Sequence, residues 1–314
     1  MIRRIVVISV VVASIATACT AQKPGPTSPT STLGLSGSSQ PDCVTLPAGV
    51  TGISWGADGS TLAVLMDFSA PAGGYSNVDL VSWPSPTVRQ QYRPGYPLGP
   101  TVPAYDGSSL YWFGRHNDVN GFWRLSASGD STLIGSAPDE PVDMAVATSQ
   151  GFVWSSFSDI QSLTLAVRKM DWAGTTQTIV PSRLPVLQTW IDGQGQWIVL
   201  SSKTDSGGQL FEVLHGVDVL TVRSPVVARL VGMSPDRTAV IYRPESDLKD
   251  HGTSIELHRV ALVGGSDNIV RVPLPFGLGA SPVVLSSTGV LAYGDQAGFS
   301  HRLCFAVPDL VQGK

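Results

Sequence analysis

Short apolar runs alternate with polar turns along most of this chain, and the combination recurs about every 46 residues. In each repeat, a turn rich in Asp, Gly and Ser separates two apolar runs. These turns stand at residues 58–60, 106–108, 149–151, 192–194, 236–238 and 287–289. A repeat of this length is typical of stacked β-modules, so the pattern predicts an all-β protein made of six similar sheets.

Within a repeat, turn residues divide the chain into four short strands, and no uninterrupted helical stripe is present. The clearest set is in the third repeat, where Pro181 ends the last strand. The strands predicted for the second, third and fourth repeats are 101–105, 110–113, 121–125 and 131–134; 143–148, 152–157, 163–172 and 176–180; 188–191, 196–201, 210–214 and 217–222. Six sheets of four strands predict a six-bladed β-propeller.

The two ends of the repeat region complete each other. The first repeat begins at Thr51, whereas the sixth has only three strands, predicted at 283–286, 290–293 and 301–307. Residues 42–47 resemble the fourth strands of the other repeats, so we expect them to pair beside residues 302–307 and close the ring. This pairing would bring Cys43 next to Cys304.

Cys43 and Cys304 bracket nearly the whole repeat region, and the third cysteine is Cys19. In an exported protein, an even pair of cysteines predicts a disulfide that joins the beginning of the domain to its end. The alternative is two separate buried thiols.

Residues 1–18 predict export. Arg3 and Arg4 precede an uncharged apolar stretch that is too short to span a membrane. The sequence Ala16-Thr17-Ala18-Cys19 resembles the bacterial lipobox, in which cleavage before the cysteine leaves an N-terminus that carries diacylglycerol and an acyl chain such as palmitate. The alternative is an ordinary signal peptidase site with an incidental Cys19.

Composition then divides the mature chain in two. Residues 19–41 are rich in Ser, Thr, Pro and Gly and predict a disordered tether, whereas residues 42–314 are long enough for one large propeller domain. The formal net charge is −4, and removal of Arg3 and Arg4 with the signal would bring it to −6. A nucleic-acid partner therefore has no electrostatic basis.

One blade carries a recognisable motif. Residues 233–242 read MSPDRTAVIY, which is similar to the "SPDG" repeat core of TolB-like bacterial β-propellers. Residues 55–60 are a weaker version. The resemblance extends over the globular region by its period, and it implies the propeller fold rather than a function.

Motifs of known chemistry are not convincing in this sequence. Residues 52–56 fit G-x-S-x-G, but they continue into a hairpin rather than a helix, so Ser54 is interpreted as part of an inner strand. The histidines and cysteines lack zinc-site spacing, and residues 117–121 are interpreted as a polar turn rather than a calcium loop. We therefore expect no metal and no cofactor. The tryptophans are expected to pack mainly between blades.

The geometry of a propeller points to a binding face instead. Loops from second to third strands, and from fourth strands to the next blade, emerge together at one end of the channel, and binding concentrates on such loops. The long loops are predicted at 67–77, 114–120, 155–162, 203–208, 243–252 and 294–300. The candidate binding residues are Arg115, His116, Lys203, Arg243, Glu245, Asp247 and His251, with a solvated charged rim as the alternative for each.

These features predict a lipid-anchored binding or interaction module on the outer side of a bacterial cytoplasmic membrane, with an envelope protein or glycan as partner. The alternative is a glycan hydrolase or lyase, with carboxylates such as Glu245, Asp247 or Asp295 paired roughly 5 to 10 Å apart at the channel mouth. A solute-binding or sensory accessory protein is a third alternative. No catalytic residues are assigned.

Overall fold

A computed structural model of the chain describes residues 41–68, 74–98, 103–137, 139–183, 185–246, 254–274, 280–297 and 300–310. The signal and tether predicted over residues 1–18 and 19–41 lie outside these ranges, apart from residue 41. Within the described residues, no helix has both the length and the apolar character needed to cross a bilayer.

The described chain forms 24 β-strands. In chain order they are β1 (Asp42–Leu46), β2 (Val50–Trp55), β3 (Thr61–Phe68), β4 (Tyr75–Ser82), β5 (Thr87–Tyr92), β6 (Ala104–Tyr105), β7 (Leu110–His116), β8 (Val119–Leu125), β9 (Ser131–Ser136), β10 (Val142–Thr148), β11 (Gly151–Asp159), β12 (Thr164–Asp171), β13 (Thr176–Arg183), β14 (Gln188–Ile191), β15 (Trp197–Lys203), β16 (Gln209–His215), β17 (Asp218–Ser224), β18 (Ala228–Met233), β19 (Ala239–Pro244), β20 (Ser254–Ala261), β21 (Asp267–Pro273), β22 (Ala280–Leu285), β23 (Leu291–Ala297) and β24 (Ser300–Ala306).

The strands form six antiparallel four-stranded sheets, which are the blades of a β-propeller. Blades 1 to 5 are β2–β5, β6–β9, β10–β13, β14–β17 and β18–β21, each in simple sequential order. Blade 6 has the order β1-β24-β23-β22. The prediction of an all-β, six-bladed propeller that is completed by an N-terminal strand is therefore confirmed.

Each pair of neighbouring blades encloses one hydrophobic cluster. Strand β3 shows how alternation produces this arrangement. Leu62, Val64 and Met66 pack toward blade 6, whereas Ala63 and Leu65 pack toward blade 2. Successive strand residues point to opposite faces, and both faces of the blade are covered, so the strand is an almost continuous apolar run.

The turns between first and second strands are held by their own side chains. In blade 1, Oδ1 of Asp58 accepts hydrogen bonds from the backbone N–H groups of Ser60 (3.0 Å) and Thr61 (2.9 Å). Burial alone would raise the pKa of Asp58, but these bonds outweigh it and lower the pKa. Asp106 and Asp236 hold the corresponding turns of blades 2 and 5.

The ring closes where the two ends of the domain pair. Strand β1 runs antiparallel to β24, with Cys43 directly opposite Cys304. The two cysteines form a disulfide across a sequence separation of 261 residues. The first and the last strand of the propeller therefore lie in the same sheet, and the disulfide joins them covalently.

Removal of this bridge should lower stability by widening the unfolded ensemble. For Cys43→Ala/Cys304→Ala we expect the free energy of unfolding to fall by about 3 kcal/mol, because a long loop is no longer closed in the unfolded chain. Urea unfolding under non-reducing conditions measures the change. Cys19→Ala is the control and also the background in which the double variant is made, so the two proteins differ only in the bridge and not in lipidation. Equal midpoints for the double variant and the control would contradict the prediction.

Candidate functional site

The innermost strands enclose a cavity of about 230 Å³ on the propeller axis. Its walls come from β2, β10, β14, β18 and β22, and most of the lining residues are apolar. The lining extends from residues near the start of the inner strands, such as Asp143 and Thr189, to residues just beyond their ends, such as Gly56 and Ser287. We call this space the axial cavity.

The turn end of the axial cavity is closed by contact between opposite blades. Gly193, in the first turn of blade 4, lies so close to blade 1 that a Cβ at this position would be 3.1 Å from the Cα of Ala57. The side-chain amide of Gln194 also reaches the carbonyl of Ala57, at 3.5 Å. A larger residue at position 193 would require the backbone at Ala57 to move by a few tenths of an ångström, so this close approach favours glycine.

Asp143 lies toward the other end and is the only ionisable side chain among the described residues that line the cavity. Its Oδ2 accepts a hydrogen bond from the backbone N–H of Thr189, at 2.8 Å, which joins the inner strands of blades 3 and 4. By its surface area Asp143 is exposed to the channel, although nearby protein atoms displace part of its hydration. This partial desolvation raises the pKa of Asp143, and the hydrogen bond from the backbone of Thr189 offsets only part of that effect.

The same inter-blade link is made one blade further by a neutral group. Oε1 of Gln188, at the start of β14, accepts a hydrogen bond from the backbone N–H of Leu230, at 2.8 Å. An amide oxygen is therefore sufficient for this structural role. The negative charge at Asp143 is not required for the link, and it has a desolvation cost that Gln188 does not have.

The other charged groups near the axis are already paired. Asp192 is buried in the first turn of blade 4, where Arg237 Nη2 lies 3.5 Å from Oδ2. The Arg237 guanidinium also lies over the ring of Trp190, with 5.5 Å from Cζ to the centroid. Asp143 has no ion-pair partner within the part of the chain that the structure describes.

The predicted binding face contains fewer available residues than the sequence suggested. Arg243 lies in β19 and is only 3% exposed, so it offers almost no surface to a ligand. Lys203, at the end of β15, and Glu245, just after β19, are exposed. Asp247 and His251 lie outside the described residues.

The prediction of a long loop at residues 114–120 is wrong. Strands β7 and β8 continue to His116 and from Val119, and a two-residue turn joins them. Its residues Asn117 and Asp118 have φ values of 48° and 62°. Asn and Asp tolerate this left-handed conformation, which a tight turn between twisted strands requires.

Arg115 and His116 therefore project from a strand end rather than from a flexible loop. Arg115 is exposed and lies 3.7 Å from the Asp118 carboxylate. The His116 ring stacks on Tyr96, with centroids 4.9 Å apart, and meets the edge of Trp123 at 5.0 Å. These contacts give His116 a packing role.

A second polar cluster lies farther out in blade 5, on β19 to β21. His258 places Nδ1 2.9 Å from Asp267 Oδ2 and Nε2 3.1 Å from Glu256 Oε1. Burial would lower the pKa of His258, but the two carboxylates outweigh it and raise the pKa. Only an imidazolium can donate to both carboxylates, and the Tyr242 hydroxyl of β19 also donates to Asp267 Oδ2 at 2.8 Å, so the cluster joins three strands of one blade.

The groups expected for other chemistries are not assembled in the described residues. These residues contain no group of three or more His, Cys, Asp or Glu side chains that could hold a metal ion. Asp143 is the only carboxyl group in the described cavity lining, whereas glycoside hydrolysis uses a pair. Of the acids considered for that role, Glu245 is exposed on the face, and Asp247 and the side chain of Asp295 are not described.

Sequence reasoning did not identify Asp143 as a site residue, although it placed residue 143 at the start of an inner strand. The signal was available in the comparison between blades. A carboxylate stands where the next blade has Gln188, in a strand that otherwise continues as an apolar run.

No family model matches the chain, and no curated protein matches it. Similar solved structures include TolB from Acinetobacter baumannii, with 13% identity and a TM-score of 0.48 over 77% of this chain and 56% of that one. An uncharacterized protein from Listeria monocytogenes EGD-e has 10% identity and a TM-score of 0.47, over 78% of this chain and 76% of that one. Hsv2 from Kluyvelomyces marxianus has 12% identity and a TM-score of 0.48, over 78% and 73%. The chain thus spans little more than half of the TolB chain, and identities this low assign no function.

The charge on Asp143 should reduce stability at neutral pH. Because its folded-state pKa is raised, the contribution of Asp143 to stability is greatest below the unfolded pKa, near 4, and is lost as pH rises through the folded value. We expect Asp143→Asn, which keeps an acceptor for Thr189, to raise the free energy of unfolding at pH 7 by less than about 1 kcal/mol, since channel water screens the charge. Urea unfolding at pH 7 and pH 4 measures this gain, which should shrink at pH 4. A variant less stable than the wild type at pH 7 would contradict the prediction.

Proposed function

We propose that this protein is a binding module of the bacterial cell envelope, held to the outer side of the cytoplasmic membrane by lipid on Cys19, and that its ligand occupies the axial cavity. The observation that carries the proposal is the composition of that cavity. Its walls are mostly apolar, and one carboxylate stands among them at the end opposite the closed turns.

Small-molecule sites in proteins are typically concave and mostly apolar, with a few polar groups that fix the orientation of the ligand. The axial cavity has this composition, and the surrounding propeller is rigid because each blade packs on two neighbours. Loops and inner strands set on such a scaffold hold their polar groups in fixed positions. Asp143 is the group that would orient a ligand.

Anchoring is supported by the sequence that precedes the propeller. Cleavage before Cys19 would expose a cysteine for lipidation, and two or more acyl chains give stable membrane attachment where one is marginal. A disordered tether over residues 19–41 would have a mean end-to-end distance of roughly 25 Å. The propeller would then stand close to the membrane and remain free to reorient.

Lipidation is tested by substitution of Cys19. We expect Cys19→Ala to remove the acyl chains and to shift the protein away from its membrane-attached form, because no other anchor is proposed. Mass spectrometry of the N-terminal peptide and detergent partitioning measure the change, with Thr20→Ala as the matched control. A wild-type protein whose mature N-terminus is another residue, without lipid mass, would contradict the proposal.

Axial binding is tested by filling the cavity. Val283 of β22 is half-buried, lines the cavity and also packs against the cluster between blades 5 and 6, so Val283→Phe adds bulk at this wall without adding charge. We expect native mass spectrometry of the wild type, purified gently from its own cells, to show a bound small molecule, and we expect Val283→Phe to lose it.

The matched control is Val263→Phe, since Val263 is 86% exposed on an outer turn of blade 5. Thermal unfolding confirms that both variants are folded. The proposal fails if the folded Val283→Phe variant retains the same ligand as the wild type, or if no ligand is carried by any form.

A further inference from the structure

The charge balance of the axial cavity indicates the class of its ligand. Asp143 brings one negative charge to the wall, and no Lys, Arg or His is among the described lining residues. Of the two carboxylate oxygens, Oδ2 accepts the hydrogen bond from Thr189. Oδ1 has no hydrogen-bond partner within the described residues, so it can accept a hydrogen bond from a ligand.

The fold does not need this charge. Gln188 makes the equivalent link between blades 4 and 5 with a neutral amide. Asp143 is exposed to the channel and has no cationic partner among the described residues, so a cationic group of a ligand can pair with it when the site is filled.

The remaining walls exclude a bare metal ion and favour a cation with an apolar body. Calcium and magnesium are held by several oxygen ligands, and the described residues contain no cluster that could supply them. Apolar residues such as Ile53, Ile191 and Val231 belong to the lining, as do Trp55 and Trp190, and their side chains also pack in the clusters between blades. These surfaces suit hydrocarbon rather than a hydrated ion.

We propose that the axial cavity binds a small organic ammonium ion, with its nitrogen at Asp143 and its apolar body toward the closed turn end. The inference rests on the proposed function and adds the ligand class. A cavity of 150 Å³ accommodates benzene, so the axial cavity, at about 230 Å³, suits a ligand of roughly ten non-hydrogen atoms. The ammonium donates to Asp143 Oδ1, while Thr189 continues to donate to Oδ2.

The test compares three probes of nearly the same shape and different charge: benzylammonium, benzyl alcohol and benzoate. Isothermal titration of the full-length chain at pH 7 measures the affinity for each. We expect benzylammonium to bind at least tenfold more tightly than benzyl alcohol, and we expect benzoate to bind more weakly than either.

Two variants assign the preference to the charge on residue 143. In Asp143→Asn, we expect benzylammonium to bind at least tenfold more weakly, while the affinity for benzyl alcohol stays within about twofold, because the shape of the site is preserved. Asp218→Asn is the matched control, since it makes the same change at an exposed position on the outer strand β17. Thermal unfolding establishes that both variants are folded.

The failure of this inference can be distinguished from the failure of axial binding. If benzylammonium and benzyl alcohol bind equally, and Val283→Phe abolishes both, the ammonium class is wrong while the axial site stands. If Asp143→Asn binds benzylammonium as tightly as the wild type does, the assigned charge is wrong. If neither probe binds and no ligand co-purifies with the wild type, the inference and the proposed function both fail.

Discussion

The structure depends on closure of the ring, because every blade is apolar on both faces. A four-stranded sheet of this kind can bury itself only between two neighbours, and six blades in a circle give each of them two. Closure is made by the chain ends, since β1 and β24 lie side by side in blade 6 and the Cys43–Cys304 disulfide joins them. The hydrophobic clusters between blades 5 and 6 and between blades 6 and 1 both rest on this pairing.

Ring closure also determines where binding chemistry can lie. The blade faces are used for packing, so the channel is left to the edges of the inner strands and to the few polar side chains that emerge there. Gly193 and Ala57 meet across the ring and close one end, which turns the channel into a cavity with a defined base. Asp143 lies away from that base among the lining residues, and the pKa of its carboxyl is raised there.

The predicted binding residues show that residue type alone is a limited guide to function. Arg243 and His116 have the chemistry of a binding face, but the fold buries the first and packs the second against Tyr96 and Trp123. The sequence shows that a residue is charged or aromatic, whereas its direction depends on strand register. The prediction of a loop at residues 114–120 was wrong for a related reason. A two-residue turn at Asn117 and Asp118 allows both strands to extend. Element ends are decided by such local geometry rather than by hydrophobic period.

The sequence by itself determined the repeat, the number of blades, the strand that completes the last blade and the partner of each propeller cysteine. All of these follow from the alternation of apolar and polar residues and from the spacing of the turns, which are local properties of the chain. Only the tertiary structure decided that Asp143 faces a confined cavity, that Gln188 makes the same link without charge and that the turn end is closed. Those features join residues from different blades. The sequence does not give the distances between blades, so these contacts depend on the curvature of the closed ring.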